Sequence, residues 1–392
     1  MKKIRSAIRM SLHYFNYHFL WGFIFLISSI FPVNDKLVIF ADTHSTTLTD
    51  NMQCIYDKLK ERDGYKFVFC LAPKMTGKKL KDVWAVYSGF MRFCWNYARC
   101  GTLILTDSYL PAFSCKPRKG TTVIQLWHAC GAFKKWGYST AESEWGPDKK
   151  KLERYPLHNC YSKVSVSSSS IIPFYAQAFN CDESKILPVG VARTDIYFDD
   201  DFVSSARPAV ESAIPQINGR KIILYAPTFR GANVKFAHTD SNMDYKALKN
   251  AFGDKYVIIN KLHPFIANGL EIQDEYSDFV FNAPSGMDIS VLLCASDIVI
   301  SDYSSLIFEY ALLTRPMIFY AYDLEEYDKE RSFYLPYREF VPGDIVFDTQ
   351  GIMNSIKNIE QGFDPQHVVD FRQKYMDACD GKSTQRILEW IK

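Results

Sequence analysis

From position 37 onward, apolar residues come in short unbroken runs, each closed by a polar turn and followed by residues of helical period. Runs at 37–40, 65–71, 102–106, 121–127, 163–167 and 185–190 predict the strands of a first half. Runs at 221–230, 256–264, 298–300 and 316–319 predict those of a second half. The runs are apolar throughout rather than alternating, which marks strands covered on both faces and so parallel sheets wound with helices. Helices are predicted from Asp50 through Leu59 and over 287–295, 306–313, 366–379 and 383–391. Between the halves, 199–218 carries Asp199, Asp200, Asp201 and two prolines, the composition of a domain junction. The expectation is α/β: two Rossmann-like domains, 35–205 and 206–392, with a central cleft and a last helix that could cross back.

The first 34 residues follow another pattern. Lys2, Lys3, Arg5 and Arg9 precede an aromatic and aliphatic run, and no acid appears before Asp35. The apolar part, 19–31, is shorter than the roughly 20 residues a spanning helix needs. Basic residues beside aromatic ones suit an amphipathic helix lying in the headgroups of an anionic leaflet, with Arg5, Arg9 and Trp21 as its contacts. A signal peptide would need a small-residue cleavage site, and none is present. A plain core helix is the blander alternative. The charged stretch 148–154 reads as a loop or basic rim.

Composition changes this picture little. The 392 residues carry a net charge of +2, which demands no nucleic-acid partner. Ten cysteines without a C-x-x-C pair read as reduced thiols in a cytosolic setting. No P-loop and no G-x-G-x-x-G is present.

The candidate chemistry lies at strand ends, where such sheets take their ligands. Ser304 and Ser305 sit between a strand and a helix start, which suits a phosphate, and Glu309 lies one turn on, in reach of ribose hydroxyls. An ordinary helix cap by Ser304 or Asp302 is the rival account. His128 follows a strand directly and precedes Lys134 and Lys135, a place for proton transfer near an anionic, membrane-held acceptor. Equally, His128 could merely brace its turn, and the lysines could be solvated surface. Arg230, Lys261, His263, Lys382 and Ser383 stand at other strand or helix ends of the second half and together would hold a diphosphate.

Six motifs in order resemble the CDP-glycerol glycerophosphotransferase family of teichoic acid and capsule synthesis. They are Gln125-Leu126-Trp127-His128, Tyr225-Ala226-Pro227-Thr228-Phe229-Arg230, Lys261-Leu262-His263-Pro264, Ser301-Asp302-Tyr303-Ser304-Ser305, Tyr322-Asp323-Leu324-Glu325 and Asp380-Gly381-Lys382-Ser383. That family is similar in fold to GT-B glycosyltransferases. The resemblance implies transfer of glycerol phosphate from CDP-glycerol, or ribitol phosphate from CDP-ribitol, to a lipid-linked saccharide or glycerophosphate acceptor, with CMP leaving. It implies His128 as general base and His263, Ser304, Ser305 and Lys382 on the donor diphosphate. It also implies a peripheral enzyme on the cytoplasmic face of the cell membrane, with no cofactor and no required divalent metal. Self-association, glycerol against ribitol, and one unit against many stay open. Three positions depart from the pattern: glycine falls at 131 rather than directly after His128, Lys261 replaces arginine, and Glu309 replaces aspartate. A GT-B transferase using a nucleotide sugar is the alternative enzyme, and a binding protein that kept the fold is the alternative of another class.

Overall fold

The first apolar run becomes β1 (Asn34–Ala41), whose last five residues are buried. The computed structural model describes residues 10–141, 143, 146–230, 243–262 and 270–392. These form two units. One comprises the chain up to Ala129, Trp136–Asp195 and Ala378–Lys392; the other comprises Cys130–Lys135 and Ile196–Asp377. The division at Asp195 falls ahead of the expected boundary at 205.

In unit 1, β1 is joined by β2 (Lys66–Cys70), β3 (Cys100–Leu105), β4 (Thr122–Gln125), β5 (Lys163–Ser165) and β6 (Ile186–Leu187). All pairs are parallel, in the order β2-β1-β3-β4-β5-β6. Chain order reverses at β1 and β3, so a crevice opens there at the carboxyl ends. Helices precede and cover the sheet: α1 (Trp21–Ser28), α2 (Asp50–Leu59) and α3 (Lys79–Tyr97). Val38, Phe40, Ile104 and Ile124 pack against Met52, Ile55 and Leu59 of α2. Burying each such side chain contributes about 1.5–3 kcal/mol.

The N-terminal segment differs from the expected amphipathic helix. A π-helical turn, Asn16–Leu20, leads into α1. Its inner side is fixed by Asn16 Nδ2 donating to Tyr87 OH at 2.6 Å, Tyr17 OH donating to the Pro156 carbonyl at 2.7 Å and Ser28 Oγ donating to the Trp95 carbonyl at 2.6 Å. Its outer side is apolar as well, exposing Phe15, Phe19, Phe23, Leu26 and Ile30. Trp21 points inward, 4% exposed, against Phe90. It is a core residue rather than a surface anchor, because α3 supplies an aromatic bed for it. Among the described residues no helix is long and apolar enough to cross a membrane. Arg5 and Arg9 lie outside the described residues.

Unit 2 opens with α4 (Asp200–Ala213), where a junction was expected. The aspartates read as linker are a helix start: the Asp199 carboxylate accepts the Phe202 N–H at 3.1 Å, and Asp200 and Asp201 meet the positive end of the dipole. The strands are β7 (Lys221–Ala226), β8 (Tyr256–Asn260), β9 (Val280–Asn282), β10 (Ile298–Ser301), β11 (Met317–Tyr320) and β12 (Asp344–Val346). They lie in the order β12-β11-β10-β7-β8-β9, again all parallel. Chain order reverses between β7 and β10, which puts the ligand crevice of such sheets there. Its longer helices are α5 (Tyr245–Phe252), α6 (Ile289–Ala295), α7 (Leu306–Ala311), α8 (Leu324–Arg331), α9 (Thr349–Gln361) and α10 (Gln366–Tyr375), with a single further turn at Tyr337–Phe340.

Six residues between two stretches of unit 1, Cys130–Lys135, form a strap belonging to unit 2. The Lys135 N–H donates to the Ser332 carbonyl at 3.0 Å and the Tyr334 N–H to the Phe133 carbonyl at 3.1 Å. The Phe133 ring packs among Phe308, Phe333 and Phe340. Gly131 has φ +63°, and a Cβ there would come within 2.1 Å of the Phe308 ring, so only glycine fits. The last helix, α11 (Ser383–Leu388), packs with unit 1 through Ile387 and Leu388.

Candidate active site

Unit 1 builds its polar edge from the turns after β1, β3 and β4. Asp42, 4% exposed, is the brace. Its carboxylate accepts the N–H groups of His44 and Ser45 at 2.7 and 2.8 Å and the Thr106 hydroxyl at 2.6 Å. The Thr106 carbonyl in turn lies 3.2 Å from His128 Nδ1. A carbonyl only accepts, so this bond puts the proton on Nδ1 and leaves the Nε2 lone pair of the neutral ring free. His128 is exposed. The ring is therefore oriented as a base, and its backbone is held too: its carbonyl accepts Arg193 Nη1 at 2.9 Å.

The residue before it is under strain. Trp127 has φ +55°, a left-handed conformation that costs a bulky residue on the order of 1 kcal/mol or more. Neighbours impose it. The Trp127 N–H donates to Gln125 Oε1 at 2.8 Å, and Asn51 Nδ2 donates to the Trp127 carbonyl at 3.0 Å. The indole stacks on Trp136 and meets Phe179 edge-on. Beside this turn, His44 Nδ1 pairs with Asp107. Asp42, Asn51, Thr106, Arg193 and Asp107 were not singled out from sequence. The only signal for them is that each stands at a strand end or helix start.

Unit 2 places Asp302 to Ser305 directly after β10 and Thr228 to Arg230 after β7, on either side of its reversal point. Arg230 is the centre of a closed network. Its Nε and Nη2 donate to the two oxygens of Asp323 at 2.6 and 2.9 Å, and its Nη1 donates to the Thr228 carbonyl at 2.6 Å and to Asp302 at 3.0 Å. Four of its five N–H groups are thus committed. Burial works against its charge, but the Asp323 and Asp302 carboxylates outweigh that and hold it protonated. Arg230 shapes the turn from behind rather than offering a free fork to a diphosphate. Tyr303 OH donates to Asp323 at 2.9 Å, and Tyr337 OH donates to the Asp302 carbonyl at 3.0 Å.

The remaining expected residues fall as follows. Ser304 Oγ accepts the Leu306 N–H at 3.4 Å, a long capping contact, while Ser305 stands half-buried at the start of α7. Glu309 is buried on α7. Lys261 Nζ donates to the Met287 carbonyl at 2.8 Å. His263 lies outside the described residues. Lys134 and Lys135 belong to unit 2 and are half-buried, so neither is a solvated rim residue. Lys382 and Ser383 belong to unit 1, whereas the serine pair belongs to unit 2. The anion-friendly start of α11 is filled from within: Asp195 accepts the N–H groups of Ser383 and Thr384 at 2.9 and 2.8 Å. Ser383 itself is fully buried and Lys382 exposed. Among the described residues no group of three or more His, Cys, Asp or Glu could hold a metal ion.

Comparison with known proteins bears on what these edges do. The sequence profile of CDP-glycerol:poly(glycerophosphate) glycerophosphotransferases matches residues 23–392. The teichoic acid ribitol-phosphate primase of Bacillus spizizenii is 36% identical over 369 residues, 93% of this chain and 93% of its own. The teichoic acid poly(ribitol-phosphate) polymerase of the same organism is 32% identical over 95% of this chain, which spans 58% of that protein. A structure of the wall teichoic acid polymerase TagF, studied also with CDPG, superposes with a TM-score of 0.75 at 22% identity, covering 98% of this chain and 97% of that one. The two parallel six-stranded sheets thus have a solved counterpart, and the likeness in sequence runs through both units. The chain is a transferase of teichoic acid synthesis and belongs to the CDP-glycerol:poly(glycerophosphate) glycerophosphotransferase family.

Proposed function

We propose that this enzyme transfers ribitol phosphate from CDP-ribitol to a hydroxyl of a lipid-linked acceptor, releasing CMP. The observation that carries the chemistry is His128, exposed, with Nδ1 tied to the Thr106 carbonyl and Nε2 left as the basic nitrogen. In this reading the acceptor hydroxyl gives its proton to Nε2 as its oxygen attacks the β-phosphorus. The bond from that phosphorus to the bridging oxygen breaks, and CMP departs with the electron pair. Such a transfer asks mainly for positioning and charge neutralisation. Unit 2 would hold the donor at its β7/β10 reversal point, with Ser304 and Ser305 toward the phosphates, Glu309 toward the ribose, and Lys261 at the neighbouring strand end; the resemblance adds His263 to the diphosphate contacts. The backbone N–H groups of Ser383 and Thr384 are already taken by Asp195, so the start of that helix is not counted among the donor contacts.

Ribitol is preferred to glycerol because the ribitol-phosphate primase matches nearly end to end. That match also favours a priming role over polymerisation. The apolar outer side of the N-terminal segment supports a peripheral membrane location, where a lipid-linked acceptor would be met.

CMP release is to be measured with CDP-ribitol and with CDP-glycerol, on a lipid-linked disaccharide and on the same lipid carrying a glycerophosphate primer. Wild type should turn over CDP-ribitol, and His128→Asn should lose about 10²–10⁴-fold in rate while still binding donor. Turnover of CDP-glycerol alone would replace the ribitol assignment, and an active His128→Asn would end the general-base assignment.

A further inference from the structure

A cation drawn out of water needs a counter-charge or a full set of hydrogen-bond acceptors. Lys134 has neither. Its only polar partner among the described residues is the neutral Tyr327 hydroxyl, at 3.3 Å. The two carboxylates of this cluster are already spent. Asp302 accepts from the Thr228 N–H, the Tyr303 N–H and Arg230, and Asp323 accepts from Arg230 and Tyr303 OH. Two of the three ammonium donors of Lys134 are left without a protein partner.

The lysine is not a loose surface side chain. Its backbone pairs with Phe333 in an antiparallel bridge, and the residues on either side of it are hydrogen-bonded to Ser332 and Tyr334. The ammonium lies 5.8 Å from the centre of the Tyr327 ring. Tyr327 stacks on Tyr303 with 3.9 Å between centroids, and Tyr303 is the residue before Ser304. Among the described residues, three charged groups act on Lys134: Asp302, Arg331 and Arg230. Burial drives its pKa down to about 8, Asp302 opposes that, and Arg331 and Arg230 add to it.

We propose that Lys134 is a donor-binding residue, whose ammonium takes the diphosphate of the CDP-alditol beside the Ser304–Ser305 turn. This rests on the reading that unit 2 holds the donor. An oxyanion would supply the missing acceptors and the missing charge at once. The strap following the Trp-His motif therefore delivers a cation to the donor, and Lys134 is not the acceptor-side or membrane-side residue its place in the sequence suggests.

The test is titration calorimetry of the full chain with CDP-ribitol, CDP-glycerol and cytidine, for wild type, Lys134→Met and Lys134→Arg. Lys134→Met keeps the apolar stem, so packing survives. It should bind its CDP-alditol at least about 10-fold more weakly, as losing a charged hydrogen bond implies, with cytidine affinity unchanged. Lys134→Arg should keep most of the affinity. Wild-type affinity should fall as pH rises past about 8, where the ammonium loses its proton; in Lys134→Arg that limb should vanish. Equal CDP-alditol affinity in Lys134→Met and wild type would overturn the inference while leaving the donor reading intact. An equal loss for cytidine would overturn it in favour of a structural role. Wild type that binds neither CDP-alditol would overturn the donor reading, and this inference with it.

Discussion

His158 shows how a single buried residue can carry the pH response of the Trp-His turn. It is 3% exposed, and its ring packs against Phe113, Trp127 and Phe179. Gln125 Nε2 donates to Tyr161 OH at 2.7 Å, which frees the tyrosine hydrogen for His158 Nδ1, also at 2.7 Å. The chain His158–Tyr161–Gln125–Trp127 therefore needs a neutral imidazole. Burial depresses the His158 pKa from 6.5 to about 3. The unfolded state then binds the extra proton between those values, so stability rises with pH across that window and is lost on acidification. At pH 5 the loss is about 2 kcal/mol relative to pH 8. Urea unfolding at the two pH values should show it, and His158→Asn, which gains no proton, should flatten the difference. An unchanged pH dependence in that variant would assign the acid sensitivity elsewhere. His158 was not legible in the sequence, since nothing local separates a core histidine from His128. What separates them is exposure, which only the fold decides.

Elements were legible where the hydrophobic signal was strong and illegible where it was shared with polar residues. The strand runs at 37–40, 102–106, 221–226 and 298–300 stand out because parallel strands are apolar on both faces. Helix α4 did not, because its capping aspartates imitate a linker, and α9 escaped because its buried face is only Ile352, Ser355 and Ile356. The glycine turn before α11 predicts free N–H groups for an anion, but a carboxylate of the chain itself takes them. Asp195 reaches it from a residue nearly two hundred positions earlier, which no local pattern reveals. Asp195→Ala should remove that double cap and cost about 1–2 kcal/mol. Chemical denaturation should show the loss, with the affinity for CDP-alditol unchanged. A selective loss of donor binding would return Lys382 and Ser383 to the donor site.

At the scale of the whole molecule, the apolar surface of the N-terminal segment calls for an explanation. Phe15, Phe19, Phe23, Leu26 and Ile30 on the N-terminal segment are all more than half exposed. Leu80, Val83 and Trp84 on α3, the helix that packs against α1, are exposed as well. A soluble protein rarely shows so many large apolar side chains together unless something covers them. Under the peripheral location proposed above, a bilayer would be that cover. Each side chain that enters the interface would add up to about 1.5–3 kcal/mol, so no spanning helix is required for firm binding. The triple variant Phe23→Ser, Leu26→Ser, Ile30→Ser should fold normally, since those side chains make up none of the buried core. It should lose at least about 100-fold in partitioning to phosphatidylglycerol vesicles on that scale. Turnover of a lipid-linked acceptor should fall with it, while turnover of a short-chain, water-soluble acceptor should not. If the variant sediments with vesicles as wild type does, the apolar side faces something other than lipid. If it also loses activity on the soluble acceptor, the segment supports the fold of unit 1 rather than its place on a membrane.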